Sequence, residues 1–372
     1  MPPLYRDAPR VLAMTGDESG CSLWRVWAPF EELERRGYIA EWCHKDQSDK
    51  VLPLVATGRY DAIITPRIVW PVDGVGDRWI NAIHRAGLTW IYECDDDVYS
   101  PRIVERQMRL FESERAKGRE QLEWERLERI RFLSVCDGVT VSSPRLASVV
   151  RRYAPPHVPV YAVPNAIDVR WFKEVLRGVR RIVPPLTIGW AGGTREDADI
   201  LPLAEAWAEV AKRRPDVNFV IQGHIPRILA DAVPKHRRWT LPWLPLHDYP
   251  RAMLNVDIAC CSVAPLVFNS AKTPIKFWEF TLARAVCVVS PTLYGPDVED
   301  GKTALVAETP AEWTEQLIRL VDDETLRRRM RRAARRKIVS EHSLQNNWHL
   351  WLAAWADAVD RFRSRPQLAI PA

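Results

Sequence analysis

The sequence has no uninterrupted apolar run near the ~18 residues that a membrane-spanning helix requires, and its first ten residues are polar and proline-containing, with no apolar signal core. A cytoplasmic protein that neither spans a bilayer nor is secreted is therefore expected. Cysteine is sparse and unpatterned. Seven are present, an odd number, without a Cys-x-x-Cys pair and with only Cys260 and Cys261 adjacent. Reduced, mostly buried thiols fit that pattern better than a disulfide framework or a zinc site. His84, His157 and His247 show no metal-ligand spacing, and no internal repeat or low-complexity tract is present.

At 372 residues, 47% hydrophobic and 27% charged, the chain has the length and balance of two globular domains. The formal charge of +5 admits an anionic partner without demanding one. Much of the excess lies in Arg327 to Lys337. There Leu326, Met330, Ala333 and Ile338 mark the apolar stripe of a helix whose other faces carry arginines. A solvated helix face is the simplest account; a nucleic-acid or peripheral membrane contact is the sharper one.

Short β-rich runs alternate with amphipathic stretches. Arg10–Thr15 reads as a strand, Leu23–Arg36 as a helix, Asp61–Thr65 as a strand, Gly74–Ala86 as a helix, and Leu88–Tyr92 and Gly138–Val141 as strands. A charged helical excursion covers about 102–132. After a proline-rich break the alternation restarts: Leu186–Trp190 strand, Ala198–Arg213 helix, Val217–Gln222 and Val256–Cys260 strands, Pro274–Arg284 helix, Val286–Ser290 strand. Such βαβ alternation predicts parallel sheets covered by helices. The expected domains are 1–165 and 166–345, with 346–372 forming a helix and tail that cross back to the first domain. Ligands are expected at the carboxyl ends of the strands.

Two stretches carry chemistry. In Lys272-Thr273-Pro274-Ile275-Lys276-Phe277-Trp278-Glu279, Thr273 is a natural N-cap and Pro274 suits the first helical position. A helix start with Lys272 and Lys276 beside it favours phosphate, and Glu279 can accept hydrogen bonds from a ribose diol. An ordinary capped helix with a Glu–Lys surface pair is the plain reading. In Ile188-Gly189-Trp190-Ala191-Gly192-Gly193-Thr194-Arg195, Gly192 and Gly193 allow close backbone approach and Arg195 suits phosphate oxygens; a plain βα turn is the alternative. Asp95, Asp96 and Asp97 end a strand and can serve acceptor binding, general-base work, a structural turn or a metal. His224, after a strand, is the histidine best placed for a ligand.

The chain resembles GT-B glycosyltransferases, close to family 4 and its relatives in bacterial and phage surface-polysaccharide clusters. The resembling segments are Val163-Pro164-Asn165-Ala166-Ile167-Asp168, Ile188–Gly192, Asp257-Ile258 leading to Ala264-Pro265-Leu266, Phe268 through Glu279, and Gly301-Lys302-Thr303-Ala304-Leu305-Val306. Pro66-Arg67 and Tyr92-Glu93-Cys94-Asp95-Asp96-Asp97 echo the family in the first half. The resemblance implies an α/β fold of two Rossmann-like doubly wound domains facing an interdomain cleft. It implies a nucleoside diphosphate sugar, UDP-sugar foremost, as co-substrate, a glycan or lipid-linked acceptor, retention of configuration and no cofactor or metal. Glu279 should hold the ribose, Lys272, Lys276 and Arg195 should lie near the diphosphate, and Trp243 and Leu244 should border the base. Gly16, Gly20, Arg25 and Arg67 should face the acceptor. Many family members have a second glutamate where this sequence has Ala271, leaving its sugar contact to Asn269, Ser270 or backbone groups. Two alternatives keep part of this picture: transfer to a hydroxymethylated DNA base, and sugar-nucleotide binding without catalysis.

Overall fold

The structure is a computed structural model that describes residues 7–15, 19–44, 53–66 and 75–365. The chain divides into two compact units, Met1–Ala166 with Asn347–Ala372, and Ile167–Asn346.

The first unit holds six strands: β1 Val11–Thr15, β2 Ala40–His44, β3 Ala62–Pro66, β4 Thr89–Cys94, β5 Gly138–Val141 and β6 Val160–Ala162. All pair in parallel, in the order β2-β1-β3-β4-β5-β6. The central strands are buried along their whole length, as β1 (Val-Leu-Ala-Met-Thr) illustrates, because helices cover both faces of a parallel sheet. The helix His349–Arg363 packs into this unit: Trp355 lies on Phe30, with ring centroids 5.1 Å apart, and Tyr161 donates to Asp357 at 2.6 Å. The charged excursion is three helices, Arg102–Leu110, Glu112–Lys117 and Arg119–Val135. The chain turns at Gly118, whose φ of 83° suits only a residue without a side chain. The expected helix over Leu23–Arg36 starts at Gly20 and runs through a π-helical stretch, Leu23–Trp27, before regular α-helix resumes at Ala28–Arg35.

The second unit holds β7 Thr187–Gly192, β8 Asn218–Gly223, β9 Arg238–Leu241, β10 Ile258–Cys261, β11 Val286–Val289 and β12 Leu305–Val306. They too are parallel, in the order β12-β11-β10-β7-β8-β9. This is the doubly wound order of dinucleotide-binding folds, with its reversal between β7 and β10. Trp207, on the helix Asp197–Arg213, seals the core by packing on Phe219 at 5.0 Å and donating to the Cys260 sulfur at 3.4 Å. The arginine-rich helix spans Glu324–Lys337 and buries Leu326, Met330 and Ala334, so the stripe uses Ala334 in place of the expected Ala333. That i, i+4, i+8 spacing keeps one face inward.

Candidate functional site

In the second unit the ends of the paired strands β7 and β8 lie close together. Gly223 ends β8 with φ 95°, and a Cβ there would stand 2.4 Å from the Gly192 carbonyl oxygen, which accepts from the His224 N–H at 2.9 Å. At Gly192 a Cβ would come within 2.8 Å of the Trp190 ring. Packing therefore accounts for both glycines. A Cβ on Gly193 would make only ordinary contact, at 3.7 Å, with Trp243. Trp243 is 67% exposed, and Leu244 is partly buried. The Arg195 Nε lies 3.6 Å from the position a Gly192 Cβ would take, and among the described residues Arg195 makes no ion pair.

Asp199, in the first turn after β7, ties this loop to the one after β10. Its Oδ1 accepts from the Ala264 N–H and from Asn269 Nδ2, both at 2.7 Å, and its Oδ2 accepts from the Glu196 N–H at 3.3 Å. Asn269 also donates to the Ala264 carbonyl at 3.1 Å. Its amide nitrogen is thus committed to holding the loop that leads to Lys272.

The helix after that loop is Ile275–Leu282, with Pro274 at its N-cap and no side-chain cap. The expectation of Thr273 as N-cap is corrected by one residue: the proline ring fixes the entry, and the helical hydrogen bonds begin beyond it. Glu279 is 2% exposed. Its Oε2 accepts from Lys276 Nζ at 2.8 Å, and its Oε1 accepts from the Tyr249 hydroxyl. Lys276 also lies over the Tyr249 ring, 5.1 Å from its centroid, and Lys272 lies 4.5 Å over Phe268. Burial pushes the hydroxyl of Tyr294 well above its usual pKa; Arg195 opposes this and Glu279 adds to it, so both charges act on one buried group. Glu279, Lys276, Tyr249, Tyr294 and Arg195 form the electrostatic core of the site. Tyr249, Tyr294 and Asp199 were not foreseen, and for the two tyrosines no sequence signal exists. Asp199 could have been found as the acidic N3 partner of Glu196 at a helix start.

In the first unit Asp97 is buried and accepts from the Tyr99 and Ser100 N–H groups at 3.2 and 3.1 Å, an Asx-type turn. Asp95 and Asp96 are partly buried, and their carbonyls accept from Ser142 and Cys94. Arg25 is placed in the interior, 3% exposed. It grips Glu93 through Nε at 2.7 Å and Nη2 at 3.0 Å, and reaches the Val163 carbonyl at 2.6 Å and Asn165 Oδ1 at 2.9 Å. Gly20 starts the helix after β1. Gly16 and Arg67 lie outside the described residues. Among the described residues no cluster of three His, Cys, Asp or Glu side chains could hold a metal ion.

Residues 195–353 match a family model described as glycosyl transferase-like. In three dimensions the chain is similar to HepE of Anabaena in complex with UDP, with a TM-score of 0.61 and 13% identity over 94% of this chain and 100% of that one. The chain has the GT-B fold. This GT-B chain is also similar to sucrose-phosphate synthase from Thermosynechococcus elongatus, with a TM-score of 0.62 and 12% identity over 93% of this chain and 98% of the other. For TarM from S. aureus, solved with UDP, the TM-score is 0.55 and the identity 12%, over 79% of this chain and 55% of TarM. The chain thus spans about half the length of TarM. Compared by sequence with curated proteins, it matches none. Among the described residues, no helix of this GT-B chain is long and apolar enough to cross a membrane.

Proposed function

We propose that this GT-B chain is a glycosyltransferase that moves a sugar from a nucleoside diphosphate sugar, UDP-sugar foremost, to a hydroxyl of a saccharide or lipid-linked glycan. The observation that carries the reading is Glu279: a carboxylate buried one turn into a helix that starts at the carboxyl end of a doubly wound sheet, with a lysine on one oxygen and a tyrosine on the other. A carboxylate has lone pairs beyond those two bonds, so ribose hydroxyls can add to the set. Donor binding then exchanges partners. Lys276 turns from Glu279 to the diphosphate, joined by Lys272 and Arg195, and Glu279 receives the ribose diol. HepE and TarM were solved with UDP, which supports the choice of nucleotide.

Chemically, negative charge develops on the diphosphate as the glycosidic bond breaks, and fixed cations with a helix N-terminus stabilise that charge. With protein cations in this role, turnover should persist in EDTA. Retention of configuration follows the family resemblance. Trp243 offers an exposed aromatic face for the base, with Leu244 and His224 nearby in sequence to the same strand ends. Asp95 and Asp96 remain the proposed acceptor-side acids; Asp97, engaged in its turn, contributes by shaping them. The cytoplasm, where nucleotide sugars are abundant, is the proposed compartment.

The test is a thermal-shift panel of UDP, GDP, ADP and CMP sugars on the wild type, Glu279→Gln and Lys276→Ala. A nucleotide-dependent shift in the wild type that both variants lose supports the reading. A shift that both retain at full size places the donor elsewhere and sinks it.

A further inference from the structure

A cavity of about 560 Å³ opens on the second unit among the helix Val169–Val175, the C-terminal end of Ile275–Leu282 and the arginine-rich helix. None of the residues proposed to hold the donor lines it. Its floor is apolar, from Phe172, Leu176 and Leu282, and its rim carries six cations: Lys173, Arg177, Arg284, Arg331, Arg332 and Arg335. No carboxylate lines it.

Several arginines elsewhere in the unit are paired: Arg181 with Asp257, Arg214 with Asp216, Arg251 with Asp248, Arg328 with Glu324. The neighbouring cavity of about 410 Å³, which shares Arg331, is lined by Asp257 and Glu324 as well as by arginines. Among the described residues the six rim cations make no ion pair. One has a structural duty: Arg331 donates to the Arg284 carbonyl at 3.1 Å, at the negative end of a helix dipole. Burial, then the neighbouring Arg284, hold the Arg331 guanidinium below its usual pKa against the pull of Asp257.

Arg284 itself is misplaced by backbone rules. The helix ends in a Schellman motif: the Ala285 N–H bonds the Phe280 carbonyl at 2.9 Å and the Arg284 N–H bonds the Thr281 carbonyl at 3.1 Å. Arg284 occupies the left-handed position with φ 76°, the only non-glycine with positive φ among the described residues. Glycine is the usual residue there because a Cβ is strained. A strained arginine at the lip of an unneutralised basic cavity points to use of its side chain.

We propose that this cavity is a second anion site, which binds a phosphomonoester or diphosphate group carried on an apolar body. The guanidinium forks suit phosphate oxygens, the floor suits the apolar portion, and the volume lies in the range of small-molecule pockets. The phosphate can belong to a soluble metabolite or to a lipid headgroup.

Calorimetric titration of the full chain with inorganic pyrophosphate, beside flotation with vesicles of phosphatidylglycerol in phosphatidylcholine, tests this and separates the sources. Titrations are run on the wild type and in a Lys276→Ala background, which removes the contribution of the proposed donor site. Saturable binding that persists in Lys276→Ala and weakens roughly tenfold on Arg284→Gly and on Arg331→Gln supports the site. The same dependence in flotation, without binding of pyrophosphate, assigns it to a lipid headgroup. Arg284→Gly should melt at the same or a higher temperature, so its loss of binding cannot be ascribed to misfolding. No binding of either probe, binding abolished by Lys276→Ala, or binding indifferent to Arg284→Gly overturns the proposal. Retention of duplex DNA that Arg284→Gly leaves unchanged, with no phosphate binding, overturns it as well.

Discussion

Glu93 in the first unit and Glu279 in the second are both buried carboxylates set against a cation, yet the cations differ in kind and stiffness. Glu93 meets a planar arginine at two points and also accepts from Thr140, and the same arginine is held by a carbonyl and by Asn165. Even so, burial outweighs Arg25 and pushes the Glu93 pKa up. Glu279 meets a lysine amine, on a side chain that is 25% exposed, and a tyrosine hydroxyl. A third acid, Asp297, extends the series downward. His342 Nε2 lies 3.5 Å from it, but burial holds that imidazole below its usual pKa, and burial raises the Asp297 pKa to about 6 against the pull of Lys337. Saturated partners make a structural lock. A flexible lysine partner leaves a carboxylate able to change hands, which is what a ligand site requires.

Four substitutions break or sharpen that series. Arg25→Ala leaves Glu93 buried beside unanswered acceptors and should cost about 3–5 kcal/mol, read as the largest drop in the urea midpoint. Asp297→Asn should stabilise. Its folded pKa lies above the unfolded one, so the native state holds a proton that the unfolded chain releases between about pH 4 and 6. Stability therefore falls as pH rises through that window, and the deficit is complete above pH 6. The asparagine variant should gain up to about 3 kcal/mol at neutral pH and nothing below pH 4, measured by paired denaturation curves. Lys276→Ala should cost only about 1 kcal/mol, since Tyr249 still donates to Glu279. If it costs as much as Arg25→Ala, the two pairs are equivalent and the comparison fails. Arg284→Gly should gain about 1 kcal/mol by relieving the left-handed strain, seen as a small rise in melting temperature.

The strands that pattern reading delimited are the interior ones. β2, β6, β9 and β12 were not delimited, and all four are sheet edges. Edge strands here are only partly buried: β6 is intermediate or exposed throughout, and β12 has two residues. With less burial there is less selection for a continuous apolar run, so the signal that reveals β1 or β11 fades at the margins. The charged excursion read as a single span because helical charge pairing continues across Phe111 and Gly118, although the backbone is extended at Phe111 and takes a positive φ at Gly118.

At the site, the helix carrying Lys272, Lys276 and Glu279 was legible because proline, lysine and glutamate have local meaning at a helix start. The exact cap was not, since Thr273 and Pro274 compete for one position. The sequence by itself determined the α/β alternation, the glycines at the ends of β7 and β8, and the spacing that sets Lys276 beside Glu279 on one helical face. Tertiary packing alone decided that Arg25 turns inward to Glu93, that Tyr249 reaches Glu279, and that cations from three separate segments line one cavity. The physical reason is that a charge takes its character from the dielectric and the partners around it, and those partners arrive from distant parts of the chain.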